Sequence, residues 1–224
     1  MKKNIAHIIT LTSLCIGIFS IIESCKFNFI TSSYLILLSV LLDGLDGMIA
    51  RYLKSVSEFG KQLDSFSDMI AFGIAPGILI YNFFIYQFDN QSLAYISLLI
   101  PICSSLRLAK YNISKRSDMF LGLTTPVSAL LFSALPLIST YERNFNIWNA
   151  IINELSITTL IITISILLIS PLKTFNLRID SIRHNKSKLF FIFISVCVLY
   201  LFNFTGLPII ILIYILLNVM KVIN

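Results

Sequence analysis

Apolar residues run along this chain in long blocks separated by short polar breaks. The blocks cover about residues 5–23, 30–51, 62–86, 92–112, 123–141, 151–171, 188–203 and 206–221. Most approach the roughly 20 residues that a helix needs to cross a bilayer. The pattern predicts eight helices. Six or seven spans stay compatible, because some blocks are short or interrupted by Pro. No internal repeat or low-complexity tract divides the chain, so residues 1–224 read as one all-α, polytopic transmembrane bundle with short loops.

Composition sharpens this picture. The chain is 57% hydrophobic and 12% charged, which excludes an ordinary soluble domain. A net charge of +6 would suit nucleic acid, but its distribution points elsewhere. Threading eight spans from a cytosolic N-terminus places Lys2, Lys3, Arg51, Lys54, Lys61, Arg107, Lys110, Lys115 and Arg116 on the inner side. Lys173, Arg178, Arg183, Lys186, Lys188 and Lys221 join them, and only Lys26 and Arg143 fall outside. That asymmetry is the positive-inside pattern of a membrane protein, and no nucleic-acid partner is expected.

The first apolar run follows Lys2 and Lys3 as a leader would. No A-x-A-like cleavage site follows, and Glu23 fits poorly in Ile22-Glu23-Ser24-Cys25 as a lipoprotein box, so the run reads as a span. Cys15, Cys25, Cys103 and Cys197 lack metal or disulfide spacing and read as small core residues. His7 and His184 stand alone near the surface and read as interfacial. Glu58 and Asp89, near predicted helix ends, read as solvated.

Four of the eleven acidic residues, Asp43, Asp46, Asp64 and Asp68, lie close together on apolar segments. Carboxylates at membrane depth are rarely kept without a partner, an ion or a task. Suppose residues 30–51 and 60–86 are antiparallel helices joined by the polar Tyr52–Phe59 loop. Arg51 is then level with Gly60, Gly47 with Asp64, and Asp43 with Asp68. Asp43, Asp46, Gly47 and Ala50 share one face of the first helix, and Gly60, Asp64 and Asp68 share one face of the second. The two faces can converge roughly 6 to 12 Å in from the cytosolic helix ends. Four carboxylates together repel one another, and two divalent cations would neutralise them. An all-oxygen set suits Mg²⁺ or Mn²⁺ better than zinc. Gly47 and Gly60 leave room for a ligand beside the backbone, Ala50 is small on the same face, and Arg51 at the rim can grip a phosphate. These four form the expected nucleotide-binding set. Gly44, Gly73 and Gly77 read instead as helix-packing positions.

The full spacing, D-x2-D-G-x2-A-R-x8-G-x3-D-x3-D from Asp43 to Asp68, resembles the signature of the CDP-alcohol phosphatidyltransferases. These membrane enzymes join an activated phosphatidyl group to an alcohol. The resemblance implies that Asp43, Asp46 and Asp64 bind the two metals. It also implies that Asp68, at the second metal, accepts the proton of the alcohol as the catalytic base. CDP-diacylglycerol as donor, a membrane-lipid setting and a homodimer are implied with it. A cation transporter using the aspartates as an ion path is the rival from another class. Acids clustered at one end of two helices, with the x8 loop between Arg51 and Gly60, argue against it.

The family is divided by its alcohol. Ser105-Leu106-Arg107-Leu108-Ala109-Lys110-Tyr111-Asn112 and Phe120-Leu121-Gly122-Leu123-Thr124-Thr125-Pro126 resemble the L-R-L-A-R-F-N and F-x-G-L-P-x-P segments of its bacterial serine-using branch. So do Ser57-Glu58-Phe59-Gly60 and the run from Ser67 to Pro76. Lys110, Tyr111 and Thr124 depart from that branch, replacing Arg, Phe and Pro. L-serine is the acceptor this resemblance implies, at the cytosolic face of a bacterial inner membrane. Serine carries a carboxylate, and Arg107 offers it a bidentate partner, with Lys110 one turn further on the same helix face. Glycerol 3-phosphate or inositol (phosphate) would also suit a basic pocket and is the alternative.

Overall fold

The computed structural model describes residues 2–53, 57–113, 120–141, 152–174 and 186–219. Lys54, Lys115, Arg116, Arg143, Arg178, Arg183 and Lys221 of the expected charge pattern, and the expected interfacial His184, lie outside the described residues. The helices are α1 (Lys2–Cys25), α2 (Phe29–Tyr52), α3 (Glu58–Asp68), α4 (Ala75–Phe88), α5 (Gln91–Ala94), α6 (Leu99–Ile113), α7 (Thr125–Tyr141), α8 (Glu154–Ile169), α9 (Lys186–Phe202) and α10 (Gly206–Val219). A π-helical turn, Met69–Ile74, fuses α3 to α4, and a 3₁₀ turn, Tyr95–Leu98, fuses α5 to α6. The bundle is the all-α membrane architecture that the apolar blocks predict.

By length and composition, five stretches among the described residues can cross a membrane: His7–Cys25, Phe29–Tyr52, Glu58–Phe88, Gln91–Ile113 and Phe190–Asn218. Helices α7 and α8 are apolar but shorter. The last stretch is not one rod. Asn203 adopts φ 45°, and a Cβ on Gly206 would lie 3.0 Å from the Val198 carbonyl oxygen, so α10 doubles back on α9. The eight predicted blocks thus correspond to eight helical segments.

Helices α1 and α2 form an antiparallel hairpin whose turn places Phe27 at φ 62°. Serines spaced by seven residues hold it together: Ser13 Oγ meets Ser39 Oγ at 2.7 Å, and Ser20 Oγ meets Ser32 Oγ at 2.8 Å. Each such bond between membrane helices is worth about 1 kcal/mol, and small side chains let the backbones approach. Glu23 accepts from Lys26 Nζ and Asn28 Nδ2, each at 2.8 Å, at the opposite end from the aspartates.

The π turn is the wedge of the fold. Pro76 has no N–H to offer the Phe72 carbonyl, and the Ala75 N–H reaches back to the Ile70 carbonyl. The segment is narrow where it must be. A Cβ on Gly17 of α1 would come within 2.9 Å of Ala71. One on Gly77 would lie 2.8 Å from Pro101 Cδ, and one on Gly73 3.2 Å from Ser104 Cβ. Helix α1 therefore packs on one side and α6 on the other. Gly73 and Gly77 serve packing as expected. Gly44 does not: a Cβ there would meet nothing within 4 Å, because its face of α2 has no neighbour in the described chain. Ile36, Phe72, Leu79, Ile80, Phe84, Phe132 and Ile161 are fully enclosed between these layers.

Candidate active site

Helix α2 carries Asp43, Asp46, Gly47, Ala50 and Arg51, and α3 carries Gly60, Asp64 and Asp68. Helix α3 begins two residues before Gly60. Ser57, in extended conformation, caps it by accepting the Gly60 N–H at 3.0 Å, and exposed Glu58 sits in the first turn. Acid in a first helical turn complements the helix dipole.

Carboxylate oxygens of Asp43, Asp64 and Asp68 lie within 4.8 Å of one another. Asp43 and Asp68, level with each other in the antiparallel reading, belong to this cluster. Asp46 is engaged differently. It is buried and accepts a 2.5 Å hydrogen bond from Thr10 Oγ1 of α1. Ser67 Oγ donates to the Thr10 carbonyl at 3.2 Å, tying α3 to the same turn of α1. Asp68 presents one oxygen, Oδ1, that is buried and has no hydrogen-bond partner among the described residues. Gathered carboxylate oxygens, with a buried Asp68 oxygen that has no partner among the described residues, suit an oxygen-loving divalent cation. The residues present fit such an ion.

Around the cluster, Gly47 keeps an open side. A Cβ there would make only an ordinary 3.6 Å contact with Arg51 Nη1. Arg51 is exposed and Ala50 half-buried. Gly60 has a crowded side, since its Cβ would fall 2.7 Å from His7 Cε1. The His7 ring also packs edge-on against Phe59, with centroids 5.6 Å apart. His7 and Thr10 are the participants that sequence reasoning missed. Their one signal is spacing, because one turn of helix separates a ring beside Gly60 from a hydroxyl on Asp46.

Arg107 and Lys110, expected to act together, part company. Arg107 is 7% exposed, and its Nη1 donates to Thr125 Oγ1 at 3.1 Å. Its Nε is buried without a hydrogen-bond partner among the described residues. The guanidinium and Asp68 act on each other electrostatically. Lys110 is exposed. The end of α6 is instead docked on α3 through Asn112. Its Nδ2 donates to Ser65 Oγ at 2.9 Å, and its carbonyl accepts from Lys61 Nζ at 3.2 Å. The helix carrying Arg107 is thereby pinned to the helix carrying Asp64 and Asp68.

Comparison with known proteins identifies the family. The family described as CDP-alcohol phosphatidyltransferase matches residues 3–162. A CDP-diacylglycerol–serine O-phosphatidyltransferase of Helicobacter pylori (strain ATCC 700392 / 26695) is 36% identical over 128 residues, 56% of this chain and 54% of the relative. One of Methanocaldococcus jannaschii is 38% identical over 143 residues, 63% of this chain and 65% of the relative. An archaetidylserine synthase of Methanothermobacter thermautotrophicus is 35% identical over 161 residues, 70% of this chain and 63% of the relative. The matches thus span between half and two thirds of these relatives' lengths.

Proposed function

Because the chain belongs to the CDP-alcohol phosphatidyltransferase family, we propose that it transfers the phosphatidyl group of CDP-diacylglycerol to L-serine, giving phosphatidylserine and CMP. The observation that carries the reading is a pair of buried polar atoms of opposite character, each without a hydrogen-bond partner among the described residues. Asp68 Oδ1 can accept a proton, and Arg107 Nε can donate to an anion. Serine has the two matching groups, a hydroxyl and a carboxylate. A buried donor or acceptor left unpaired costs about 1–3 kcal/mol, so an acceptor that satisfies both is favoured over one that satisfies either. The relatives named for serine transfer support the same choice.

In this reading the serine oxygen attacks the diacylglycerol-bearing phosphorus of the donor, and the bond from that phosphorus to the CMP oxygen breaks. Asp68 takes the hydroxyl proton as the new ester forms. Asp43, Asp46, Asp64 and Asp68 would hold two Mg²⁺ or Mn²⁺ ions, whose charge stabilises the attacking and leaving oxygens of such a displacement. Arg51 at the rim steadies the pyrophosphate, while Gly47 and Ala50 keep space for the nucleotide. Arg107 orients serine by its carboxylate. Exposed Lys110 is left to attract anions toward the site. The rival reading as an ion path finds no support in family membership.

We place the site at the cytosolic face of the membrane, where the basic residues gather, within one membrane domain that pairs as a homodimer. Purified protein given CDP-diacylglycerol and a panel of alcohols should release CMP fastest with serine. Faster release with glycerol 3-phosphate would move the chain to the glycerophosphate branch. Cysteine labels at Tyr52 and Gln91 should react from the cytosol and from outside respectively; the reverse would invert the topology.

A further inference from the structure

The family match ends at residue 162, inside α8, yet the buried polar contacts that lead to Arg107 continue past it. Thr125, which accepts from Arg107 Nη1, is the first residue of α7 and follows the 120–124 loop directly. That loop is held from the C-terminal side. The Gly122 N–H donates to the Leu172 carbonyl at 2.7 Å and the Leu123 N–H to the Leu167 carbonyl at 3.0 Å. Thr174 Oγ1 donates to the Gly122 carbonyl at 3.1 Å. Residues 120–121 pair antiparallel with residues 173–174, Phe120 opposite Thr174. Gly122 lies at φ 78°, and a Cβ there would overlap the Leu168 carbonyl oxygen, so glycine is required twice over.

Tyr214 of α10 closes the arrangement. It is 4% exposed in a helix that is otherwise almost wholly apolar, and it shares a small cavity with Leu123, Thr174 and Asn218. Its phenol is in hydrogen-bond contact with Thr174. Thr174 and Asn218 are buried too, and Asn218 Nδ2 donates to the Tyr214 carbonyl at 2.6 Å. Polar groups enclosed within a membrane bundle are costly and point to a function.

We propose that Thr125, Thr174 and Tyr214 position Arg107, so that the C-terminal helix α10 is a specificity-determining part of the acceptor pocket. The inference rests on reading Arg107 as the partner of serine's carboxylate. Thr125 occupies Nη1 and fixes the plane of the fork, leaving Nε aimed at the acceptor. The 167–174 segment holds the loop that holds Thr125. Tyr214 fixes Thr174 and keeps the wall beside the guanidinium polar.

The test compares Arg107→Ala, Thr125→Val, Thr125→Ser and Tyr214→Phe in the purified full chain. It measures KM for serine, KM for CDP-diacylglycerol, and the ratio of rates with serine and serinol, which lacks the carboxylate. Losing one positioning hydrogen bond should raise the serine KM about threefold to tenfold in Thr125→Val and Tyr214→Phe. The serine-to-serinol ratio should fall by a similar factor, the KM for CDP-diacylglycerol should hold, and Thr125→Ser should restore the parent values. Should Thr125→Val fail to fold, Thr125→Ala against Thr125→Ser carries the same contrast. If both variants keep the parent ratio while Arg107→Ala collapses it, the positioning role is overturned and the carboxylate reading stands. If Arg107→Ala keeps the ratio, that reading falls and takes the positioning role with it.

Discussion

The two sides of the candidate site are built in opposite ways. The carboxylate side comes from consecutive helices, α2 and α3, and from side chains between Asp43 and Asp68 on two periodic faces. The Arg107 side is assembled from α6, the start of α7 and a ladder between residues 120–121 and 173–174. Its link back to the aspartates is a tertiary contact, Asn112 on Ser65 and Lys61. In the proposed function, chemistry common to every alcohol lies on two helices consecutive in sequence. The choice of alcohol, in the same proposal, rests on contacts between remote segments, which can change without touching those two helices. Damage to the first side should therefore appear in turnover, and damage to the second in acceptor selectivity.

The largest expected effect tests the first half of that contrast. Asp43→Asn or Asp64→Asn removes charge from a cluster whose oxygens lie within 4.8 Å, and CMP release should drop below detection. Excess chelator should do the same to the parent protein, with recovery on adding Mg²⁺ or Mn²⁺. Full activity in chelator would remove the metals from the proposal. Next in size is Asp68→Asn, which deletes the proposed acceptor of the proton. It should cost about 10²–10⁴-fold in kcat while nucleotide binding falls much less. Near-normal turnover would assign the base elsewhere.

The same contrast explains what was legible beforehand. Acids and small residues at i, i+3, i+4 and i+7 declare a helical face, so the helical bundle and the approach of Asp43 to Asp64 and Asp68 could be read from spacing. Asp46 shows where that reading stops. Periodicity places it on the α2 face, but it takes a hydrogen bond from Thr10, on a helix whose register against α2 is set by the Ser13–Ser39 and Ser20–Ser32 contacts. Lys110 shows the same limit. It shares a helix face with Arg107 by spacing, yet burial by neighbouring segments separates them. The π turn had a local signal in Pro76, but its partner contact, Gly17 against Ala71, is tertiary.

A smaller effect tests the second half of the contrast. Arg107→Ala should raise the serine KM by about tenfold to a hundredfold, the size of a charged hydrogen bond, and leave the KM for CDP-diacylglycerol nearly unchanged. Arg107→Lys should recover only part, because the planar fork is lost. An equal rise in both constants would make Arg107 a general structural support and erase the division between the two sides.

The smallest expected effect falls on the one place where the carboxylate side depends on a remote segment. Thr10 Oγ1 donates to Asp46 Oδ2 in a buried setting, where a hydrogen bond orients a carboxylate and limits the directions its other oxygen can face. Thr10→Val keeps the shape and removes the donor. Partners of metal-holding side chains typically matter by 10–100-fold in affinity or activity. The lower end applies here, because Asp43, Asp64 and Asp68 still gather without Asp46. The Mg²⁺ concentration for half-maximal activity should rise about tenfold in Thr10→Val, with kcat at saturating Mg²⁺ largely retained, and Thr10→Ser should restore the parent value. Metal binding followed by calorimetry on the resting protein should move in parallel, which separates a lost orienting bond from a damaged fold. An unchanged Mg²⁺ requirement would mean that Asp46 needs no help from α1. The carboxylate side would then be as local in energy as it is in sequence.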